Sequence, residues 1–544
     1  MHRPTDGEVT APKAAAAPSG GAPWRRERIA PVTWLSALAA AVLTMVATAR
    51  GPGLTPDSMN YLSAGLNLAE GHGLRTFRGM ALTVFPPGLP TVVAVGQWLG
   101  VSVEWTVRTF NAGAAAASVV LGARLLRNHV RTPVLVSVAT VLLAISPPLL
   151  AVGRMAWTEP AFIVASLALV LVLERLATTH RRVAWLVVAG TLVALAFLFR
   201  YAGIVLIPTG ALAILLGRWR HGWRDAVTSA SAFSALSAVV PVAWALRNRG
   251  VDGTAMGFRP PSTDGPATVG ERFASTLGEW ALPSPAPAWL QGATVVAALL
   301  LLSAGLLLGA RAGVALRQRL QVPAAVRLVP LLLFVGAYAT YLALAQLATA
   351  LNPIGTRLMS PLWVPLVVLG TVGLERLPLC VPEPRRRLAR SVGAGLLVLF
   401  VLGQGVAAAR DVRAAAVNGV GYAVPSRLSP DLAAAVRDLP GEAILYTNDP
   451  NGLWAASQRQ PLRSSPAKGD YRTGEARALP ARFLRLTACN DSYLAWSDRE
   501  THDYFFTPDE LEEHVQLTVA AAEADGTLYR ISPLAPVAGG REQC

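Results

Sequence analysis

Two carboxylates stand where the chain enters or leaves an apolar segment. Asp57 follows the first apolar segment, and Glu159 comes directly before Pro160 at the start of a later one. A carboxylate held at the boundary between water and lipid can take a proton from a hydroxyl that reaches the membrane surface. A second carboxylate could position a substrate or a cation. Simpler interpretations are a helix N-cap for Asp57 and a helix-start charge for Glu159.

Basic residues occupy similar positions. Arg200 and Tyr201 separate two apolar segments, Arg357 lies in another short turn, and Arg154 precedes Glu159 by a few residues. Positive charge is normally depleted on the outer side of a membrane, so outer arginines are suited to an anion such as a lipid phosphate. The alternative is an interfacial arginine that reaches the headgroups.

The segment after Asp57 adds two further candidates, Tyr61 and His72. Residues 58–69 have apolar side chains at helical spacing and suit a helix in the membrane interface, which Gly71-His72-Gly73 would end. We predict that Tyr61 and His72 bind substrate together with the arginines and Tyr201. For His72 the alternative is a simple turn residue.

The composition indicates that membrane helices carry these residues. Of the 544 residues, 53% are hydrophobic and 15% are charged, which is too apolar for a soluble protein of this size. Although the net charge is +15, the arginines cluster between apolar segments, as expected for cytoplasmic loops. The bilayer is therefore the expected partner, and nucleic acid is not.

About eleven transmembrane helices are predicted. The apolar run 89–100 is short and follows Pro86-Pro87, which favours a juxtamembrane or re-entrant segment. With that choice every Arg-rich loop falls on the cytoplasmic side, and so does the N-terminus. The predicted spans are about 32–48, 106–123, 133–150, 160–177, 183–199, 202–217, 226–246, 289–310, 327–348, 358–375 and 391–409.

The spans divide the chain into three regions. Residues 1–31 are predicted to be a disordered cytoplasmic tail, and 32–409 a transmembrane domain whose first outer loop is 49–105. Residues 410–544 are predicted to form a small extracytoplasmic α/β domain. It has helix starts at Ser429 and Thr507, strands at 443–447 and 493–496, and a hairpin of 516–523 with 527–531. Cys489 and Cys544 could pair if this domain lies outside.

Short motifs then follow one another along the chain. They are Asp57-x-x-x-Tyr61 with Gly71-x-Gly73, Phe85-Pro-Pro-Gly-Leu-Pro90, Trp157-Thr-Glu159-Pro160, Phe199-Arg200-Tyr201-Ala-Gly203 and Arg357-Leu-Met-Ser-Pro361. Their order resembles the GT-C glycosyltransferases, in particular the family-39-like membrane enzymes. That group includes protein O-mannosyltransferases, lipid A aminoarabinose transferases and actinobacterial homologues.

The resemblance implies a GT-C-like polytopic α-helical fold in a bacterial plasma membrane. It implies a polyprenyl-phosphate-linked sugar donor and transfer with inversion to an envelope glycan, lipid or protein. Asp57 would be the base, Arg200 and Arg357 would hold the leaving polyprenyl phosphate, and Glu159 would assist positioning. The family often has paired acids where this chain has Asp57-Ser58. The metal ligands are therefore unknown, and a divalent cation (Mg²⁺ or Mn²⁺) is an optional cofactor.

Two other functions fit a polytopic membrane protein. A transporter or lipid flippase should carry charged or broken helices near the bilayer midplane and often an internal repeat, and the sequence shows neither. A non-catalytic scaffold with an outer binding domain predicts that Asp57 can be replaced without functional cost.

Overall fold

A computed structural model describes residues 30–177, 179, 181–282, 287, 289, 292, 324–376, 383–469, 478–499 and 504–534. Within these residues, a bundle of apolar helices is followed by a domain built on a five-stranded sheet. The polytopic α-helical class with a C-terminal α/β domain is confirmed. The predicted tail falls almost entirely on residues that the structure does not describe.

Long apolar helices form the bundle. In the described residues, eight segments are long and apolar enough to cross a membrane: Val103–His129, Pro133–Gly153, Arg182–Phe199, Tyr201–His221, Trp223–Asp252, Arg327–Ala348, Thr356–Arg376 and Glu383–Asn418. Helices Pro31–Ala47 and Glu159–Leu176 cover two more predicted spans. Apart from residues 289 and 292, the predicted span 289–310 lies outside the described residues. All ten other predicted spans therefore coincide with helical segments.

The first outer loop contains two helices, Pro56–Ala69 and Gly88–Trp98. At 11 residues the second helix is about 16 Å long, too short to cross the hydrocarbon core. The two helices pack against each other. We name Pro56–Ala69 the base helix, because Asp57, the predicted base, lies in its first turn.

The base helix is helical as predicted, but protein rather than lipid buries its apolar side chains. Met59 and Leu62 are nearly inaccessible to solvent, and they belong to one hydrophobic cluster with Val93 of the neighbouring helix. The same cluster includes Leu453 and Trp454 from the far end of the chain. The base helix thus lies between the bundle and the C-terminal domain.

The remaining helices are amphipathic or short. They are Pro266–Ala281 in an outer loop, and Pro430–Arg437, Pro450–Ser457, Ala481–Cys489 and Pro508–Glu512 in the C-terminal domain. Thr507 begins the last of these with a reciprocal capping box to Glu510, as expected for a Thr-x-x-Glu pattern. The helix ending at Asn418 continues past residue 409, the predicted end of the transmembrane domain.

The C-terminal sheet contains the predicted strands and one more. The strands are β1 (Ile444–Thr447), β2 (Leu462–Ser464), β3 (Ser492–Ser497), β4 (Val515–Glu523) and β5 (Gly526–Pro533). Their order is β2-β1-β3-β5-β4, with β1 parallel to β2 and β3 and with β4 and β5 forming the predicted hairpin. The three-residue strand β2 is the one that the sequence pattern did not predict.

The cysteines are partly outside the described residues. Cys489 ends the helix Ala481–Cys489 and takes part in a disulfide. Both other cysteines, Cys380 and Cys544, lie outside the described residues. The pairing of Cys489 with Cys544 therefore stays a prediction.

Candidate active site

A cavity of about 640 Å³ lies beside the first turn of the base helix. Its walls come from the loop that contains Asp57 and from the ends of several bundle helices. The polar residues in its lining include Asp57, Tyr61, Thr158, Arg200, Tyr201, Arg259, Thr349, Asn352 and Arg357. Aromatic and aliphatic side chains, including Phe199, Phe258, Tyr341 and Leu342, form much of the remaining wall. The cavity therefore combines a charged end with an apolar wall.

Arg357 joins the two predicted carboxylates. Its Nη1 donates to Asp57 Oδ2 at 2.7 Å, and its Nε donates to Glu159 Oε1 at 2.7 Å. Asn352 also donates to Asp57 Oδ2, at 3.4 Å. One guanidinium can serve two acids because its donors lie in a fixed planar fork. Asp57 and Glu159, which lie 102 residues apart in the numbering, are thus held together as the topology predicted.

Asp57 is not the N-cap of its helix. Thr55 is the N-cap, and it exchanges hydrogen bonds with Ser58 in a capping box. Asp57 comes two residues later, so its carboxylate is available to the cavity. Its side chain retains 23% of its exposure, and in the described residues no group donates to Oδ1. That oxygen can therefore accept a proton from a bound molecule.

Glu159 is the most buried charge of the site. It is the first residue of Glu159–Leu176, its side chain is inaccessible to solvent, and it accepts from Arg200 as well as from Arg357. An unpaired carboxylate at that depth would be expensive, whereas two guanidinium donors and a helix N-terminus offset the cost. Glu159 is therefore better placed to fix the arginines than to transfer a proton.

Trp157 supports this arrangement by packing its ring against the Arg357 guanidinium. The Arg357 guanidinium lies 4.3 Å from the centre of the Trp157 ring, which is a favourable cation–π distance. Trp157 Nε1 donates to Thr55 Oγ1 at 2.9 Å. The same indole therefore contacts both Arg357 and the N-cap of the base helix.

Tyr61 and Tyr201 both line the cavity. Tyr61 is buried and packs edge-on against Phe85 at 4.8 Å. Burial, with a further effect from Asp57, raises the pKa of Tyr61, so its hydroxyl stays protonated and can donate a hydrogen bond. The Tyr201 hydroxyl donates to the Thr83 carbonyl and accepts from Trp244 and Asn248. Tyr201 thus holds the cavity wall mainly through its protein partners.

The structure places Arg154 and His72 away from these residues. Arg154 Nη1 donates to the Asp411 carbonyl at 3.3 Å and so contacts the helix that leads to the C-terminal domain. His72 lies in the exposed turn after the base helix and pairs with Glu70. Neither side chain belongs to the described lining of the cavity. The turn interpretation of His72 fits this position.

Arg259 is a cavity residue that the sequence analysis missed. Its Nη2 donates to the Val84 carbonyl at 3.0 Å. No carboxylate among the described residues pairs with it. The sequence contained a signal for Arg259, since it is another arginine on the predicted outer side, where positive charge is normally depleted. Its position in a long Pro- and Gly-rich loop concealed that signal.

Two segments of the cavity wall, one around Pro260 and one around Ala350, contact each other. The Ala350 amide donates to the Pro260 carbonyl at 2.9 Å, and Pro261 forms an isolated bridge with Thr349. Gly257 has a φ of +74°, and a Cβ there would stand 2.6 Å from Val84. Only glycine fits both the conformation and the close approach. The contact places Phe258 and Arg259 at the cavity.

The bundle, the cavity and the outer domain can be compared with known proteins. A family model described as dolichyl-phosphate-mannose-protein mannosyltransferase matches residues 85–244, less than a third of the chain. ArnT from Cupriavidus metallidurans in its apo state has 14% identity and a TM-score of 0.60, covering 91% of this chain and 97% of that one. The same enzyme bound to undecaprenyl phosphate gives 15% identity, a TM-score of 0.58 and coverages of 94% and 99%. The chain has the GT-C glycosyltransferase fold.

Two further structures are similar to this chain in fold. The arabinofuranosyltransferase AftD from Mycobacteria has 17% identity and a TM-score of 0.54, and the match covers 92% of this chain and 40% of AftD. An oligosaccharyltransferase of Archaeoglobus fulgidus has 13% identity, a TM-score of 0.53 and coverages of 86% and 68%. No curated protein matches the sequence. The predicted resemblance to GT-C membrane glycosyltransferases is confirmed, and none of these findings supports a transporter.

A divalent cation does not fit this GT-C site as the side chains are arranged. The described residues contain no group of three or more His, Cys, Asp or Glu side chains that could hold a metal ion. Asp57 and Glu159 both accept from Arg357, so a cation bound to either carboxylate would lie close to that guanidinium and be repelled by it. The divalent cation thus stays a prediction from the sequence.

Removing the charge of Glu159 should destabilise this GT-C bundle. Glu159→Gln leaves Arg200 and Arg357 without their shared counter-ion, and breaking a buried pair typically costs about 3–5 kcal/mol. We expect a clear fall in the apparent melting temperature of the detergent-solubilised protein. Glu104→Gln is the matched control, because Glu104 is 49% exposed and pairs with Arg108, a surface pair worth about 0–1 kcal/mol. Equal melting temperatures for both variants would contradict the assigned role of Glu159.

Proposed function

We propose that this protein is an inverting glycosyltransferase of the bacterial plasma membrane. It moves a sugar from a polyprenyl-phosphate-linked donor to an envelope glycan, lipid or protein acceptor on the outer face. The N-terminus is cytoplasmic and the C-terminal domain extracytoplasmic. The observation that supports this proposal most directly is that Asp57, with one free carboxylate oxygen, lines a cavity that is also lined by three arginines.

The charges of the cavity match such a donor. Asp57 and Glu159 balance Arg200 and Arg357, which leaves Arg259 as net positive charge. A sugar joined to a polyprenyl phosphate is a phosphodiester with one negative charge. Arg259 is therefore the residue suited to the donor phosphate, in addition to the predicted Arg200 and Arg357. The lipids named with the similar structures fit this assignment, since one ArnT structure holds undecaprenyl phosphate and one archaeal AglB structure a dolichol phosphate.

The transfer step is a single displacement. The acceptor hydroxyl gives its proton to Asp57 Oδ1 while its oxygen forms a bond to the anomeric carbon of the sugar. The bond between that carbon and the phosphate oxygen breaks on the opposite face, so the configuration inverts. The departing polyprenyl phosphate gains a second negative charge, which the arginines stabilise. Glu159 holds Arg200 and Arg357 in place, and the Tyr61 hydroxyl can donate to the sugar.

The apolar wall accounts for the lipid part of the donor. Leu342, Ala345 and Ala348 on one bundle helix line the cavity beside Phe258. Such a wall suits an isoprenoid chain that enters from the bilayer.

Replacing Asp57 by asparagine should abolish transfer. Proteoliposomes with wild-type or Asp57→Asn protein receive radiolabelled polyprenyl-phosphate sugars and a cell-envelope extract. We expect the variant to lose about 10²–10⁴-fold in rate, because the base is removed, while polyprenyl phosphate still competes for binding. Glu70→Gln changes an exposed acid at the other end of the same helix and should retain the wild-type rate. A folded Asp57→Asn protein that transfers sugar at the wild-type rate would show that Asp57 is not the base. If wild-type protein transfers sugar from none of the donors, the proposed transferase function is rejected.

Arg259→Gln should weaken donor binding. We expect the donor KM to rise at least about tenfold, since a charge-assisted hydrogen bond to phosphate is worth roughly 1.5–3 kcal/mol. The exposed Arg249 in the same region provides the control variant Arg249→Gln. The measurement is the initial transfer rate against donor concentration for both variants. An unchanged donor KM in Arg259→Gln would place the phosphate elsewhere.

A further inference from the structure

The base helix begins in a small junction of three chain segments. The Gly53 amide donates to the Arg154 carbonyl at 2.8 Å, and the Ala156 amide donates to the Gly53 carbonyl at 2.9 Å. On the other side of Gly53-Leu54, the Leu54 amide donates to the Val420 carbonyl at 3.3 Å. The Tyr422 amide donates back to the Leu54 carbonyl at 3.0 Å. Gly53-Leu54 therefore lies between the segment Arg154–Ala156 and the linker Val420–Tyr422 that leads to the C-terminal domain.

The junction is packed too closely for side chains at two glycines. A Cβ on Gly421 would stand 2.0 Å from the Leu54 carbonyl oxygen, and the φ of Gly421 is +63°. A Cβ on Gly53 would stand 2.4 Å from the Met155 sulfur. Backbone atoms cannot move aside without displacing Gly53-Leu54, so any side chain at Gly421 must push Leu54 away.

A displacement of Leu54 reaches Asp57 directly. Between them lie Thr55, which closes the capping box with Ser58, and Pro56, whose ring fixes its φ. This connection has little freedom to absorb a shift. Since the Asp57 carboxylate must lie within hydrogen-bond reach of the reacting hydroxyl, a shift of about 1 Å is enough to slow the reaction.

The C-terminal domain also contacts the far end of the base helix. Asn67 and Gln460 exchange amide hydrogen bonds at 3.1 and 3.2 Å. Beyond the helix, the Leu462 amide donates to the Phe77 carbonyl at 2.8 Å, and the Phe77 ring packs on Trp454 at 5.7 Å. Elements that follow the last membrane helix therefore hold the base helix at both ends.

We propose that the linker Val420–Tyr422 and the C-terminal domain position Asp57 for proton transfer. This role rests on the proposed transferase function and goes beyond it, because the domain then forms part of the active site rather than an attached module. Gly421 and Gln460 are positioning residues, since they act on the base through the helix that carries it. A domain that serves only to bind the acceptor would affect acceptor binding and leave the turnover number unchanged.

The test compares two alanine variants of glycines with positive φ. Gly421→Ala introduces a Cβ against Leu54, whereas Gly71→Ala has a φ of +82° and nothing within 4 Å of the new Cβ. Both variants carry the same kind of backbone strain. The full chain is reconstituted in proteoliposomes, and kcat and the KM values for donor and acceptor are measured. We expect Gly421→Ala to lose about 10²-fold in kcat with an unchanged donor KM, and Gly71→Ala to remain near wild type.

A milder variant keeps the test valid if Gly421→Ala does not fold. Gln460→Ala removes the contact at the far end and leaves the Asn67 bond to the Arg75 carbonyl. We expect its kcat to fall about fivefold, which corresponds to about 1 kcal/mol, again with an unchanged donor KM.

The outcomes separate this inference from the function itself. If wild type transfers sugar and Gly421→Ala or Gln460→Ala lowers kcat alone, the positioning role is supported. If wild type transfers and the variants change only the acceptor KM, or match Gly71→Ala, the positioning role is overturned while the transferase stands. If wild type transfers no sugar from any donor, the function fails and the inference falls with it.

Discussion

The site depends on one guanidinium shared by two acids. Arg357 links Asp57 of the first outer loop to Glu159 at the start of a bundle helix, and Trp157 lies beneath it. Without Arg357 the two carboxylates would repel each other at the edge of the membrane, where solvent screens charge weakly. The segments that carry Asp57 and Glu159 are therefore joined by the same cation. The fixed geometry of an arginine makes this possible, and a lysine could not reproduce it.

In the proposed mechanism, this arrangement lets a base and a leaving-group site coexist in one cavity. Four charges cancel within the network, so the cavity can be partly buried without a large desolvation cost. Arg259 adds a positive charge to the cavity lining, which the proposed anionic donor would require. The outer segments that meet at Pro260 and Ala350 bring Arg259 to the cavity, and the junction at Leu54 brings Asp57. Glycines occur at both places because the backbones approach closely.

Much of the site could be predicted from residue types and topology. Charges at the outer ends of apolar helices are costly and must find partners, which is why Asp57, Glu159, Arg200 and Arg357 converge as expected. The directions of side chains could not be predicted in this way. Arg154 lies a few residues before Glu159, yet its guanidinium turns toward Asp411, because local packing decides the rotamer. Arg259 was missed because its loop has no periodicity, and strand β2 because three residues are too few to show one.

The most direct test of the central claim is a transfer-rate cycle on Asp57 and Arg357. The rates of Asp57→Asn, Arg357→Gln and the double variant are measured in proteoliposomes with the same donor and acceptor. If the two side chains act as a unit, the double variant should lose about as much activity as the more impaired single variant. If the losses instead multiply, Asp57 and Arg357 work independently, and the shared guanidinium does not organise the site.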